Sequence, residues 1–461
     1  MKKYNSYKES NIYWLGEIPK HWQVSKVKHI LFHKKKTSNP ELNCGSISFG
    51  KIVYKDDESI PEQTKAAYQE LLIGEFLINP LNLNFDLKSL RTALSDKNVV
   101  VSTGYIVLKN DDKTDKRFIK WLLHQFDVSF MKTLGAGVRQ TLNYTDVKNS
   151  YFPLLPKQEQ TTIANFLDYK TEKINRFIKK KKQLIKLLNE QKAAIINQAV
   201  TKGLDPNAKM KDSGIECLPA GQAGLGEIPE HWEVRKLKYV ANCFPSNVDK
   251  HSKEDEKEVR LCNYTDVYKN DFITNNMKLM IATAKDDQIE KFALKKGDVI
   301  ITKDSETADD IANPALVIED LENVICGYHL SIMRPFSKLK GEYLLRALQC
   351  KPINVQFELC SNGVTRVGLG VADMKKAEIP VPPIEEQIKI SEFIQSELKT
   401  INKTISTIEK EITLVEEYKT ALIAEAVTGK IDVRDFKVPQ EEETPLAMVA
   451  EEANHYNKEV N

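Results

Sequence analysis

Residues 15–22 read LGEIPKHW, and residues 225–232 repeat that stretch as LGEIPEHW. A longer repeat aligns residues 153–205 with residues 380–432 without a gap. Between these repeated stretches, the two halves of the chain are much less alike. The chain therefore holds two different inserts in two similar frames, an arrangement that suits an asymmetric target with two parts.

Length and composition are those of an ordinary protein with two globular units. With 461 residues, each repeat is long enough to bury its own core, and 41% hydrophobic with 29% charged residues is a common balance. We expect neither a membrane span nor a signal peptide, because no long apolar run occurs. The seven scattered cysteines form no CxxC motif, which favours free thiols in a reducing, cytoplasmic location.

The charge is distributed unevenly along the chain. The net charge is +7 for residues 1–150 and +6 for residues 151–205, but −3 for residues 206–378 and −8 for residues 379–461. The N-terminal half therefore has the balance of a polyanion binder, and the C-terminal half does not. Charge alone does not predict nucleic-acid binding here.

Both inserts predict mixed α/β domains of the α+β class. Each shows strands, then a helix, a glycine-containing loop and a proline that precedes a long helix. The predicted strands are 74–79 and 99–108 in the first copy and 297–302 and 327–333 in the second, and the predicted helices are 117–126 and 342–349.

Residues 158–200 and 385–427 predict two long helices with apolar seams. The seams repeat by threes and fours, as in a coiled coil. One alternative is that each helix packs along a globular domain, but two matched seams favour pairing, and their equivalent positions in a pseudo-twofold frame make it antiparallel. The seam residues are Leu167, Ile174, Ile178, Ile185, Leu188 and Ile195 in the first helix and Ile394, Leu398, Ile401, Ile405, Ile408, Ile412 and Val415 in the second.

These patterns divide the chain into five segments. The Gly- and Ala-rich stretch 218–224 has no counterpart in the first copy, and the last segment is acidic and aperiodic, as disordered tails are. The predicted segments are an N-terminal domain at 1–151, a helix at 152–205, a C-terminal domain at 206–378 with a flexible connector at 206–226, a helix at 379–436, and a tail at 437–461.

The repeated motifs resemble those of the DNA-specificity subunits of type I restriction-modification systems. The resemblance rests on the two GEIPxHW stretches, on the two PxxPxxEQ stretches that open the long helices, and on the A-V-T triplets at 199–201 and 426–428. Together these motifs frame residues 7–432. The insertion at 218–224 departs from the family pattern, and Cys217 stands where the first copy has Trp14.

The resemblance implies a function and a set of partners. In this family, each of two target-recognition domains reads one half of a split duplex DNA site. The two long helices hold the domains apart and dock two methyltransferase subunits, which restriction (translocase and endonuclease) subunits join. We therefore expect S-adenosylmethionine, ATP and Mg²⁺ on the partner subunits, and no cofactor on this chain.

The candidate DNA contacts are basic or amide side chains near glycines or in basic runs. Glycines let a backbone approach phosphate, and arginine grips phosphate or guanine. In each case the alternative is an ordinary one, either an arginine that pairs with a carboxylate in a turn or a solvated surface cation. The candidates are Arg139 and Gln140 in one glycine-rich loop, Arg366 in the equivalent loop, and Lys34, Lys35, Lys36, Arg91 and Arg117.

A catalytic role finds little support in the sequence. No GxxxxGK[ST] motif occurs, and no glycine-rich strand-to-helix turn suits S-adenosylmethionine. Asp304, Glu306, Asp309 and Asp310 have the chemistry of Mg²⁺ ligands, but carboxylates in loops are common. Two other hypotheses stay open, namely an enzyme with an unusual site and a structural protein that assembles through its coiled coil.

Overall fold

A computed structural model describes residues 2–81, 90–134, 141–215 and 224–439, and the chain forms two compact units. Unit 1 consists of Met1–Lys182 and Glu409–Asn461, and unit 2 consists of Gln183–Ile408. Each long helix is therefore shared between the units. Unit 1 contains the start of the first helix and the end of the second, and unit 2 contains the other two parts.

Unit 1 is built from short strands and three helices of its own. A four-stranded antiparallel sheet has the order β4-β11-β8-β9, and two-stranded ribbons pair β1 with β2, β3 with β12, β5 with β6 and β7 with β10. The strands are β1 (Tyr7–Glu9), β2 (Glu17–Pro19), β3 (Gln23–Lys26), β4 (Leu31–His33), β5 (Gly45–Ser48), β6 (Lys51–Tyr54), β7 (Gln69–Leu71), β8 (Phe76–Ile78), β9 (Thr92–Leu94), β10 (Val99–Val101), β11 (Ile106–Asn110) and β12 (Tyr151–Leu154). The helices are α1 (Glu62–Ala66), α2 (Lys116–Ser129) and α3 (Tyr144–Asn149), and the first long helix is α4 (Lys157–Lys202).

Unit 2 repeats this plan with additions. Its main sheet has five strands in the order β16-β24-β20-β22-β18, and a three-stranded sheet has the order β19-β17-β23. Its strands are β13 (Met210–Asp212), β14 (Glu227–Pro229), β15 (Glu233–Lys236), β16 (Ala241–Pro245), β17 (Lys257–Cys262), β18 (Phe272–Ile273), β19 (Met280–Ala284), β20 (Val299–Thr302), β21 (Asp304–Ser305), β22 (Pro314–Val317), β23 (Val324–Cys326), β24 (Leu330–Pro335), β25 (Val367–Gly368) and β26 (Glu378–Val381). Its helices are α5 (Tyr264–Tyr268), α6 (Asp286–Phe292), α7 (Gly341–Gln349), α8 (Lys351–Cys360) and α9 (Val371–Lys376), and the second long helix is α10 (Ile384–Val427).

The predicted fold class, two similar mixed α/β domains with two long helices, is confirmed. One predicted element is wrong. The stretch 99–108 forms two strands, because a turn closed by the Tyr105 N–H and the Ser102 carbonyl at 3.1 Å separates β10 from β11. The β10 segment then pairs with β7, while β11 lies in the main sheet.

The long helices pair in antiparallel fashion within each unit. In unit 1, Lys181 Nζ lies 2.6 Å from Glu411 Oε2, and Lys419 Nζ donates to Asn175 Oδ1 at 2.8 Å. In unit 2, Ile196 of α4 lies in the same core as Ile394 and Leu398 of α10. Of the predicted seam, Leu167, Ile174, Ile178, Ile394, Leu398, Ile401, Ile408, Ile412 and Val415 are buried, and Ile185, Leu188, Ile195 and Ile405 are half-buried.

The repeated tryptophan joins two helix ends in each unit, and we call this arrangement the tryptophan clamp. In unit 1, Trp22 Nε1 donates to Glu159 Oε1 at 3.0 Å, in the first turn of α4. Gly429, just after α10, has a φ of +74°, and a Cβ there would lie 3.0 Å from the Trp22 ring. A Cβ at Gly429 would also overlap the Pro19 ring, so a glycine is needed both for the left-handed helix end and for the space that Pro19 and the indole occupy.

Unit 2 builds the same clamp from the opposite helix ends. Trp232 Nε1 donates to Glu386 Oε2 at 2.9 Å, in the first turn of α10. Gly203 ends α4 with a φ of +71°, and a Cβ there would lie 3.1 Å from the Trp232 ring. The motif histidines join both clamps, since His21 Nε2 lies 2.9 Å from Glu159 and His231 Nε2 lies 2.7 Å from Glu386.

The described part of the chain holds no helix long and apolar enough to cross a membrane. Six cysteines fall within the described residues and all are free, five of them buried and Cys360 exposed. Burial raises the pKa of the Cys243 and Cys350 thiols to about 12, so these side chains pack as neutral apolar groups.

We predict unequal losses of stability when the two clamp glutamates are removed. The Glu159 side chain is only 6% exposed and accepts from Trp22, from the Tyr4 hydroxyl at 2.6 Å and from His21, whereas the Glu386 side chain is 38% exposed. Glu159→Ala should cost about 2–5 kcal/mol and Glu386→Ala about 1–2 kcal/mol. Urea unfolding measures both, with exposed Glu172→Ala as the control, and equal small losses in all three would contradict the clamp.

Candidate nucleic-acid interface

The first predicted loop contact cannot be located. Arg139 and Gln140 lie outside the described residues, as does the segment 82–89. The described residues that border both segments are adjacent, because the Leu142 N–H donates to the Pro80 carbonyl at 2.8 Å. A role for Arg139 and Gln140 in DNA contact stays a prediction.

Lys34 is buried, and this corrects the prediction that it contacts phosphate. Its side chain is 6% exposed, and its Nζ lies 2.9 Å from Glu75 Oε2 and 3.7 Å from Glu70 Oε2. Although burial opposes ionisation of Glu75, the Leu72 N–H and the ammonium groups of Lys34 and Lys109 hold its pKa below the usual value. The Lys34 cation therefore neutralises carboxylates inside unit 1.

Arg91 also belongs to a buried ion pair and is not a surface cation. This corrects the prediction that Arg91 contacts DNA. Its guanidinium Nε donates to Asp127 Oδ1 at 2.9 Å, and the Asp127 side chain is 1% exposed. A buried carboxylate needs a partner charge, so Arg91 serves the core of unit 1 by pairing with Asp127.

The remaining predicted cations are exposed. Lys35 and Lys36 follow β4 with exposed side chains, and neither has an ion pair within the described residues. Arg117 opens α2 and lies 3.5 Å from Asp115 and 3.4 Å from Asp168, with a side chain that is 44% exposed. Exposed pairs of this kind are weak, so all three cations are accessible to a phosphate.

Unit 1 also contains a cation cluster that sequence reasoning missed. Burial lowers the pKa of Lys120 and of Lys419, and repulsion from the Lys51 ammonium group lowers both further. Burial and the same two lysines lower the pKa of His124 to about 4, so this imidazole is neutral at pH 7. The residues come from three separate elements, β6, α2 and α10. In the sequence, only Lys419 stood out, because the first copy of the repeat has Lys192 at the equivalent position. Clustered, partly desolvated ammonium groups favour an anionic ligand.

Arg366 lies in unit 2 on the rim of a cavity of 380 Å³. Its side chain is exposed, and no ion pair to it exists among the described residues. Two tyrosines of α5, Tyr264 and Tyr268, line the cavity with their rings stacked at 5.5 Å. The accessible arginine keeps the loop a candidate for DNA contact.

The acidic residues of this cavity do not assemble a metal centre. Within the described ranges, no group of three or more His, Cys, Asp or Glu side chains could hold a metal ion. Asp304 instead accepts from His329 Nδ1 at 2.8 Å, and Asp310 accepts from Asn313 Nδ2 at 3.2 Å.

Comparison with known proteins shows the family to which this chain belongs. Residues 19–187 and 229–414, well over half of the chain, match the family described as the type I restriction modification DNA specificity domain. The chain belongs to this family. The resemblance predicted from the repeated motifs is thereby confirmed, and the function of the chain is DNA specificity in a type I restriction-modification system.

Relatives align along the length of both units. The type I restriction enzyme MjaVIII specificity subunit of Methanocaldococcus jannaschii is 23% identical over 450 residues, which cover 93% of this chain and 98% of the relative. Another relative from that organism, designated the MjaX specificity subunit, is 26% identical over 458 residues, which cover 93% of this chain and 98% of the relative. The EcoBI specificity subunit of Escherichia coli is 21% identical over 327 residues, which cover 70% of this chain and 67% of the relative.

A solved structure shares the fold. It was reported for complex assembly and conformational transition of a type I restriction-modification system, and it superposes with a TM-score of 0.64 at 15% identity. The match covers 89% of this chain and 98% of the other.

We predict that the two neighbouring lysines Lys34 and Lys35 behave differently when replaced. Lys34→Ala removes one of the two ammonium groups that pair with buried Glu75 and leaves Lys109 at 3.1 Å, so it should cost about 2–3 kcal/mol of unfolding free energy. Lys35→Ala should change stability by less than about 0.5 kcal/mol, and if Lys35 contacts phosphate, the salt slope of DNA binding should fall by about one. Urea unfolding and binding at several salt concentrations separate the two effects, and a stable Lys34→Ala protein with weakened DNA binding would contradict the burial argument.

Proposed function

We propose that each unit reads one half of a bipartite duplex DNA site, while the paired helices set the gap between the halves. The observation that carries this proposal is the repeated tryptophan clamp, which ties each unit to the start of one long helix and the end of the other. A reader of a split site needs two recognition surfaces on a stiff connection, because separation and phase along the duplex are both fixed.

The two recognition surfaces differ, which fits an asymmetric target. Unit 1 carries exposed Lys35 and Lys36 and a cluster of exposed Lys51 with half-buried Lys120 and Lys419. Unit 2 carries Arg366 beside a cavity lined with carboxylates. Cations serve phosphate contacts, whereas mixed donors and acceptors serve base edges.

The catalytic steps belong, in this proposal, to other subunits. Two methyltransferase subunits dock on the helices, and restriction subunits join them, with S-adenosylmethionine, ATP and Mg²⁺ bound to those partners. Support comes from the relatives, which are named as specificity subunits, and from the lack of a cofactor-binding motif in this sequence.

An exchange of one domain tests independent reading. Replacing residues 23–151 with the same segment of another family member keeps Trp22, Glu159 and the long helices in place. With methyltransferase subunits present, methylation mapping should show one new half-site and one unchanged half-site. The chain alone is the control and should transfer no labelled methyl groups, and a simultaneous change of both half-sites would disprove independent reading.

A paired deletion tests the helices as a ruler. Removing residues 178–184 together with residues 409–415 deletes one heptad from each helix at the level of the Lys181–Glu411 pair and preserves both seams. At about 1.5 Å per residue, each helix loses about 10 Å, or about three base pairs of DNA. The gap should shorten, or binding should be lost through changed phase, while the half-site sequences stay the same. Altered half-sites with a constant gap would rule out the ruler role.

A further inference from the structure

The rim of the unit 2 cavity carries two opposite charges that do not pair. Glu306 and Arg366 both have exposed side chains, and neither has a hydrogen bond or an ion pair among the described residues. Both lie close enough to the Tyr264 hydroxyl to influence its pKa, in opposite directions. One acceptor and one five-donor guanidinium are therefore available at a single opening.

The loop that presents Arg366 has a defined conformation. Asn362 and Gly368 exchange backbone hydrogen bonds of 3.1 and 2.9 Å, which close the loop between them. Gly363 has a φ of +150°, and a Cβ there would overlap the Arg366 carbonyl oxygen. Val364 is fully exposed at the tip. A tight loop with an exposed apolar tip and a neighbouring arginine projects from the unit, as a groove reader must.

The cavity wall contains a polar group that lacks a partner. Ser305 is 4% exposed and lines the cavity, yet its Oγ makes no hydrogen bond to any described residue. Burial raises the pKa of the Tyr264 hydroxyl and the Ser305 hydroxyl lowers it, so the two hydroxyls are neighbours in this wall. The wall beside the charged rim therefore offers two hydroxyl groups, each able to donate and to accept a hydrogen bond.

We infer that this rim reads a G·C base pair in the half-site of unit 2, with Arg366 on the guanine and Glu306 on the cytosine. The inference rests on the proposed function of the chain. In the major groove, guanine presents the acceptors N7 and O6, and its paired cytosine presents the N4 amino donor. Arginine matches the first pattern with two hydrogen bonds, and a carboxylate accepts from the second.

A base edge fits this rim better than a phosphate does. Glu306, Asp304 and Asp310 all line the same cavity, and three carboxylates repel a phosphate. Asp304 and Asp310 are held by His329 and Asn313, so Glu306 is the carboxylate left to accept from a ligand. The net charge of −3 over residues 206–378 further favours amino groups as ligands.

The experiment maps base preference at each position of the site. The chain is assembled with its methyltransferase subunits, and bound duplexes are selected from a pool randomised across both half-sites and then sequenced. The variants are Arg366→Ala and Glu306→Ala, with Arg235→Ala and Glu233→Ala as controls, since those two exposed residues pair with each other away from the cavity. Thermal unfolding and complex assembly are checked for every variant.

Wild type should prefer G·C at one base pair, and Arg366→Ala should reduce that preference by about 5- to 150-fold. Glu306→Ala should relax the same base pair, and both controls should leave every position unchanged. Relaxation at two different base pairs, or unchanged preferences in both variants, overturns the inference. A uniform loss over all sequences with a salt slope lower by about one assigns Arg366 to phosphate and also overturns it.

A second variant keeps the test valid if Arg366→Ala fails to fold. Arg366→Lys preserves the charge but loses the two-pronged geometry, so it should weaken the guanine preference and keep the salt slope. The half-site of unit 1 is an internal reference and should be unchanged throughout. Selection of no specific site by the wild-type complex would refute the proposed function itself, whereas a specific site that ignores both residues refutes only this inference.

Discussion

The hydrogen bond from each motif tryptophan to a first-turn glutamate is the constraint on which both units depend. Trp22 and Trp232 are fully buried, and a buried indole N–H needs an acceptor. Glu159 and Glu386 supply it from the helix N-termini, where a carboxylate is also favoured by the helix dipole. Each indole packs in addition on the glycine that ends the other long helix, so one side chain fixes the start and the end of the paired helices.

Because the clamp lies in the repeated frame, the inserts are free to differ. Both main sheets keep the same core arrangement, with β4-β11-β8 in unit 1 matching β16-β24-β20 in unit 2. Unit 2 adds a parallel edge strand and a three-stranded sheet, which shares an apolar cluster with the main sheet. Insertions at sheet edges and loops cost little stability, and they are the places where recognition residues are found.

Charge follows the same division between frame and insert. Lys34 and Arg91 neutralise carboxylates in the core, where an unpaired charge would be costly. The exposed cations Lys35 and Lys36 have no ion pair among the described residues and are left for a ligand. In unit 2 the exposed Arg366 shares its cavity with acidic groups, so its chemistry suits a base edge. In the proposed function, DNA specificity arises from these two unlike surfaces on one repeated scaffold.

The sequence by itself determined the repeat, the family, the fold class and the two long helices, because motif spacing and heptad periodicity are local properties of the chain. It also showed that Trp22 and Trp232 occupy equivalent positions in the repeat, each three residues after a proline. Only the tertiary structure showed that Lys34 and Arg91 are buried, that 99–108 is two strands, and that Lys51, Lys120 and Lys419 are close enough to influence each other's pKa. A run of lysines looks the same in sequence whether its members face solvent or a carboxylate such as Glu75. That difference depends on residues about 40 positions away, which only folding brings within 3 Å.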